Sequence, residues 1–214
     1  MPKRSQKKQL FAMSAKKRKN IFVLCLVVLV LLFAIDRSFL TKAVLNPPVA
    51  KNSVPSFDLQ KYHEKIFTVT KVVDGDTIDI DIANADKNYT RIRLWGVDTP
   101  ETKKPGSPVM YFGPEATEFT TQKTLGKKVT VYLNTEKSTR DKYGRLLAYI
   151  KLPDGPFLNE ELLKEGFAYA DTRFKHPFYN KYKQLQALAK NQKRGLWKDI
   201  TIDKMPDWMR QSLK

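Results

Sequence analysis

The residues best suited to chemistry stand at the ends of two short apolar segments. One is a turn, Val72-Val73-Asp74-Gly75-Asp76-Thr77, and the other closes the run Arg91-Ile92-Arg93-Leu94-Trp95-Gly96-Val97-Asp98-Thr99-Pro100-Glu101. Taken singly, each has an ordinary explanation: Asp-Gly is common turn chemistry, and Asp98 before Thr99-Pro100 can simply start a turn. Arginine changes that balance. Arg93 lies five residues before Asp98, and Lys142-Tyr143-Gly144-Arg145 brings another arginine to the start of a further apolar segment. Carboxylates beside arginines suit a phosphate bridged by a metal ion. A single cysteine, Cys25, and two histidines, His63 and His176, exclude disulfide frameworks, zinc sites built on cysteine and histidine sets, and HExxH chemistry. A catalytic metal here would sit on oxygen.

Local patterns place these residues on a small set of elements. Alternating β-branched residues predict a strand over 66–73, a tight turn at Asp74-Gly75 and a second strand over 77–82, forming a hairpin. A third strand is expected over 89–97. Pro114 opens a helix that runs to about Leu125, with Gly126 ending it. Strands four and five are expected over 129–133 and 144–151, joined by a charged loop. Asn159 can cap a short helix ending at Gly166. Pro177 opens a longer helix, in which Phe178, Tyr182, Leu185 and Leu188 form an apolar stripe, up to Gly195. Five short strands with interspersed helices predict an α+β fold, a small barrel carrying helices on its flank.

The chain has 214 residues and a net charge of +17, which points to a polyanionic partner, nucleic acid or an anionic membrane surface. That charge is uneven. Residues 1–50 hold ten Lys and Arg against the one acid Asp36, so +9 sits there and +8 remains for the rest. Residues 21–35 form an unbroken apolar run preceded by eight basic residues and no acid. As a helix, fifteen residues reach only about 22 Å, short of a hydrocarbon core of about 30 Å unless the flanking polar residues lie at the interfaces. No good small-x-small cleavage site follows it, so an uncleaved signal anchor is expected over 21–40 in preference to a cleaved signal peptide. The positive-inside rule then leaves the basic tail, 1–20, in the cytoplasm and exports the remainder. Residues 41–64, with Asn46-Pro47-Pro48, read as a linker.

From about Lys65 to Trp197 the chain resembles the staphylococcal nuclease-like family, also called thermonuclease or micrococcal nuclease. The resemblance is carried by Asp-Gly-Asp-Thr at 74–77, Arg-Leu-Trp-Gly-Val-Asp-Thr-Pro-Glu at 93–101, Tyr-Phe-Gly-Pro-Glu-Ala at 111–116, Asp-Lys-Tyr-Gly-Arg-Leu-Leu-Ala-Tyr-Ile at 141–150, Leu-Asn-Glu-Glu-Leu at 158–162 and Gly-Leu-Trp at 195–197. It implies a five-stranded OB-fold barrel with three flanking helices, a Ca2+ ion, and hydrolysis of DNA and RNA at the P–O5′ bond to leave 3′-phosphate ends. By position, Asp76 and Asp98 match the family's metal carboxylates, and Thr99 the residue whose main-chain carbonyl also ligates. Arg93, Glu101 and Arg145 match the catalytic trio, Lys142 and Tyr143 the contacts to nucleotide phosphate, and Asp74 an acid behind the ion. One position departs: Thr172 stands where the family has a tyrosine that packs on a nucleotide, with Phe174 two residues on. Tyr169 and Phe174 are expected in the core.

The implied roles are physically coherent. Ca2+ takes six to eight oxygen ligands, which two carboxylates, a carbonyl, waters and a phosphate oxygen can supply without Cys or His. The planar forks of Arg93 and Arg145 suit bidentate contact with phosphate. The expected organisation is a tail (1–20), an anchor (21–40), a linker (41–64), a nuclease-like domain (65–198) and a C-terminal tail (199–214). The expected protein is monomeric, membrane-bound through 21–40, with its domain outside the cell. The competing reading is a catalytically inactive barrel of OB type that only binds nucleic acid or protein, since such folds host many binding modules.

Overall fold

The computed structural model describes residues 57–102, 106, 108–135 and 138–212. The expected anchor at 21–40 and most of the expected linker lie outside the described residues. Among the described residues no helix is long and apolar enough to cross a membrane.

Strand β1 (Lys65–Asp74) pairs antiparallel with β2 (Thr77–Ile80), and β2 pairs antiparallel with β3 (Thr90–Leu94). Alternation on β3 buries Thr90, Ile92 and Leu94 and turns Arg91 and Arg93 to the opposite face. The single strand expected over 89–97 is broken. At Gly96 the backbone takes φ +80°, and a Cβ there would lie 2.4 Å from the His176 ring, so the chain bends and starts a separate short strand, β4 (Val97–Asp98).

Helix α2 (Gly113–Thr124) starts with proline in its first turn and packs against β1. Strands β5 (Lys128–Tyr132) and β6 (Leu146–Lys151) pair antiparallel. β5 also pairs antiparallel with β1, and β6 lies parallel to β3, which closes the barrel in the order β1-β2-β3-β6-β5. This is the α+β, OB-type barrel that the strand pattern and the resemblance predicted. Its interior is packed with Val69, Ile78, Ile80, Ile92, Val131, Leu146 and Ile150, each fully buried. Burial of side chains of this size contributes about 1.5–3 kcal/mol each.

Helix α3 (Leu158–Lys164) buries Leu158, Leu162 and Leu163 on the barrel. Asn159, expected as its cap, does something else. Its side chain is fully buried; Oδ1 accepts from the Ile150 amide at 3.0 Å and Nδ2 donates to the Trp95 carbonyl at 3.0 Å. The amide therefore pins the bend after β3 to strand β6. Strand β7 (Tyr169–Ala170) pairs with β4, setting Asp98 opposite Tyr169. In α4 (Tyr179–Asn191) the buried stripe runs through Tyr182 and Ala189, whereas Leu188 is exposed.

The folded unit extends past both expected borders. Residues 57–62, read from sequence as linker, form helix α1 (Phe57–Tyr62), and Tyr62 packs in the main core with its hydroxyl 3.1 Å from Thr90 Oγ1. Residues 199–212, read as tail, carry a 3-10 turn at Ile202–Lys204 and helix α5 (Asp207–Ser212). Met205 and Met209 there join Tyr169, Ala189, Leu196 and Trp197 in a second apolar cluster. Neither segment has the length or periodicity that marks a helix in sequence.

Candidate active site

The turn between β1 and β2 delivers the first acids. Asp74 Oδ1 accepts from the Asp76 amide at 3.1 Å, which shapes the turn and aligns the two carboxyls on one side. Gly75 is required for what packs beneath: a Cβ there would come within 2.8 Å of the Thr99 side chain. Thr120 of α2 donates to the Gly75 carbonyl at 2.6 Å, so helix, turn and the β4 exit are locked together. Thr99 answers from the other strand end, its amide donating to Asp76 Oδ2 at 2.8 Å.

Arg93 bridges the two strand ends. Its Nη1 is 2.8 Å from Asp76 Oδ2 and its Nη2 is 2.6 Å from Asp98 Oδ1, while Nη1 also donates to the Val97 carbonyl at 2.8 Å. One guanidinium thus spans both carboxylates, which shows that they face a common point. Burial pushes the Asp76 carboxyl up to about 7, Arg93 opposing the shift and the neighbouring Asp74 charge reinforcing it. Asp98 is also raised by burial despite Arg93. Arg93 itself is held above its ordinary value: burial works against its charge, but Asp76 and Asp98 outweigh it.

Asp74, Asp76, Arg93, Asp98, Thr99, Glu101 and Arg145 line one polar cavity of about 210 Å³, together with Arg173. All seven residues that the sequence assigned to ion or catalysis therefore converge. Arg145 is fixed through Nε, 2.7 Å from Asp141 Oδ2, and its guanidinium lies over the Tyr143 ring, 5.5 Å from the centroid. Glu101 accepts from the Thr102 amide through Oε1 at 3.0 Å. The remaining pair, Lys142 and Tyr143, lines an adjoining groove of about 830 Å³ that shares Arg93, Arg145 and Arg173 with the polar cavity.

The carboxylates lining the polar cavity offer oxygen donors, the kind that a hard divalent cation takes. Among the described residues no group of three or more His, Cys, Asp or Glu is arranged to hold a metal. Two carboxylates and a carbonyl, the set implied above, would not form such a group.

Three residues escaped the sequence reading. Arg173, 3.2 Å from Asp98 Oδ1 and forked onto Asp171, enters the cavity from the loop after β7. Trp208 of α5 donates its indole N–H to Asp98 Oδ2 at 2.8 Å. Phe174, expected in the core, is 60% exposed and lines the groove with Tyr143, whereas Tyr169 is fully buried as expected. The basic residue beside the Thr172 position was the available signal for Arg173; Trp208 offered none.

Residues 91–199 match the family described as staphylococcal nuclease homologue. The chain is 40% identical over 145 residues to the thermonuclease of Staphylococcus hyicus, covering 66% of this chain and 81% of that protein. It is 42% identical over 135 residues to the thermonuclease of Staphylococcus intermedius, covering 61% and 75%. Endonuclease YncB of Bacillus subtilis is 38% identical over 142 residues, covering 64% of each chain.

Proposed function

Since this chain belongs to the staphylococcal nuclease homologues, we propose that it is a Ca2+-dependent endonuclease hydrolysing the phosphodiester bonds of DNA and RNA. One observation carries the reading: the buried carboxylate of Asp76, the partly buried one of Asp98, three arginines and Glu101 face one polar cavity that opens beside a groove with two exposed aromatic rings. A protein that only bound nucleic acid would have no need of close, mutually repelling acids withdrawn from solvent, whose ionised forms cost free energy.

Asp76, Asp98 and the Thr99 carbonyl would hold the ion, with Asp74 behind Asp76. Bound there, Ca2+ supplies charge that polarises a phosphate oxygen. The chain's own residues do the rest. Arg145 presents its terminal nitrogens to the phosphate, and Arg93 and Arg173 add positive charge to the same cavity, favouring the charge that grows on the phosphorus oxygens. Glu101 takes a proton from the attacking water. The P–O5′ bond breaks as the water oxygen bonds to phosphorus, the leaving O5′ takes a proton from solvent, and a 3′-phosphate and a 5′-hydroxyl result. Lys142 lies near the phosphate chain, and Tyr143 and Phe174 offer faces on which bases can stack. Phe174 would then serve where the family's tyrosine is replaced by Thr172.

The N-terminal part of the proposal is separate. Residues 21–40 act as an uncleaved anchor, leaving residues 1–20 inside and a monomeric nuclease domain outside. Protease treatment of intact cells should remove the domain; a soluble product beginning near residue 44 or 51 would contradict the anchor. For the activity, the full-length protein is assayed on DNA and RNA with Ca2+, with Mg2+ and with EDTA. Cleavage with Ca2+, weak cleavage with Mg2+ and none in EDTA is expected, because Mg2+ demands tighter octahedral geometry and sheds water reluctantly. Full activity in EDTA, or binding without cleavage, would overturn the reading.

A further inference from the structure

Asp98 is held from two sides. From the barrel, Arg93 Nη2 donates to Oδ1 at 2.6 Å. From the C-terminal segment, the Trp208 indole N–H donates to Oδ2 at 2.8 Å, a contact across 110 residues of sequence. Arg173 joins the two, 3.2 Å from Oδ1 and with its guanidinium 4.6 Å from the Trp208 ring centroid. The indole therefore uses its edge on the acid and its face on a base that shares that acid.

The indole is itself well placed to hold a fixed position. It stands edge-on to the buried Tyr169 at 6.3 Å and packs against the cluster containing Met205, Met209 and Trp197. Its direction of approach matters too. Trp208 lines a separate cavity of about 630 Å³ that also touches Asp98, Thr99 and Glu101, and is absent from the lining of the polar cavity where the acids and arginines meet. A carboxylate offers about four acceptor directions; hydrogen bonds from Arg93 and Trp208 take two, Arg173 pairs with Oδ1 by charge, and among the described residues one direction on Oδ2 is left. A neutral donor suits this place, because it restrains the carboxylate without adding positive charge beside an ion site.

We propose that Trp208 is a positioning residue for the nuclease reaction: by donating its indole N–H to Asp98 Oδ2 and seating Arg173 on its ring, it sets the rotation of a metal-binding carboxylate and thereby the ion affinity of the site. The role rests on the reading that Asp98 ligates Ca2+. It makes residues 199–212 a working part of the enzyme. Partners that orient metal ligands in this way commonly change metal affinity by about 10- to 100-fold when removed.

The test uses Ca2+ titrations of the full-length protein and of Trp208→Phe, which keeps a ring for Arg173 but removes the donor. Ca2+ affinity should fall by about 10- to 100-fold, turnover should recover at saturating Ca2+, KM for DNA should stay close to parental, and the melting temperature in EDTA should fall only by what the smaller ring loses in packing. In the unmutated protein, the indole N–H resonance of Trp208, one of three such signals, should shift with the same midpoint as Ca2+ binding. That second measurement decides the matter if Trp208→Phe does not fold. Parental Ca2+ affinity in Trp208→Phe, or a Trp208 signal unmoved by saturating Ca2+, overturns the positioning role alone. Failure of the unmutated protein to bind Ca2+ overturns the proposed ion, and this role with it.

Discussion

Two aspartate–arginine clusters in this molecule use the same chemical groups to opposite effect. Near α1, Asp58 receives Arg140 through a fork, Nε to Oδ2 at 2.8 Å and Nη2 to Oδ1 at 2.6 Å, with Thr139 Oγ1 donating to Oδ2 at 2.7 Å. One acid meets one base, and every strong acceptor is used. Burial raises the Asp58 carboxyl, but the hydrogen bonds from Arg140 and Thr139 outweigh it and hold it below the ordinary value. In the polar cavity Arg93 spans both Asp76 and Asp98, Arg173 adds a longer contact to Asp98 alone, Asp74 lies nearby, and both bridged acids are still raised by burial. The first cluster is satisfied and braces the fold; in the second the positive charge in contact with the acids does not offset their burial, which suits the cation and phosphate of the proposed function. Since structural pairs also shift pKa values, the direction of the shift distinguishes the two, not its presence.

Turnover should separate them most widely. Glu101→Gln, in the second cluster's cavity, is expected to lower kcat by about 10² to 10⁴, the usual scale for losing a general base, while substrate affinity changes far less. Asp58→Ala should leave kcat near parental when assayed well below its melting temperature. Equal kcat for Glu101→Gln and parent would remove the catalytic half of the comparison. A smaller contrast comes from the two arginines on either side of Gly144. Arg145→Lys keeps the charge but loses the fork, and the loss of one charge-assisted hydrogen bond, about 1.5–3 kcal/mol, corresponds to about 10- to 10²-fold in kcat. Arg140→Lys should instead lower the melting temperature and spare kcat. If both substitutions acted on stability alone, Arg145 would belong with the brace.

Stability should reverse the ranking. Asp58→Ala leaves Arg140, three-quarters buried, without its main partner and is expected to cost about 1–3 kcal/mol at neutral pH. Because the Asp58 carboxyl is depressed in the folded state, its contribution is present above the unfolded value of 3.8 and is lost as pH falls through the lower folded value. Urea melts of parent and Asp58→Ala should therefore converge under acid conditions. A gap that stayed constant from neutral pH to below pH 3 would show that the pair contributes through packing and not through charge.

How much of this was legible in sequence follows from distance along the chain. The turn at Asp74-Gly75-Asp76 and the strand end at Asp98-Thr99-Pro100-Glu101 were visible because strand alternation and turn chemistry are local. The barrel followed from five such segments and the resemblance. The brace was not visible, since Asp58 and Arg140 are 82 residues apart and α1 is too short to show periodicity. Asn159 had a local explanation as a cap, but the burial that makes its amide a tie between Trp95 and Ile150 is a tertiary fact. Trp208 reaches Asp98 from a segment with no strand or helix pattern, and Phe174 looked like core because hydrophobicity cannot report which residues the last fold of the chain leaves uncovered.

The smallest effect tests the claim that positive charge in the cavity does not offset the burial of its acids. Asp76→Asn keeps the size and an acceptor oxygen for the Thr99 amide but removes one of the buried charges that Arg93 has to serve. Arg93 would retain Asp98 and the Leu94 and Val97 carbonyls, so it would not be stranded. Removing a buried charge whose ionised form is disfavoured relieves desolvation and its repulsion with Asp74, while losing one ion pair. These nearly cancel, so in EDTA the stability of Asp76→Asn is expected to lie within about 1 kcal/mol of the parent or above it. Calorimetry without metal measures this. A loss as large as that of Asp58→Ala would mean that Asp76 and Arg93 form a satisfied structural pair, and the contrast between the two clusters would fail.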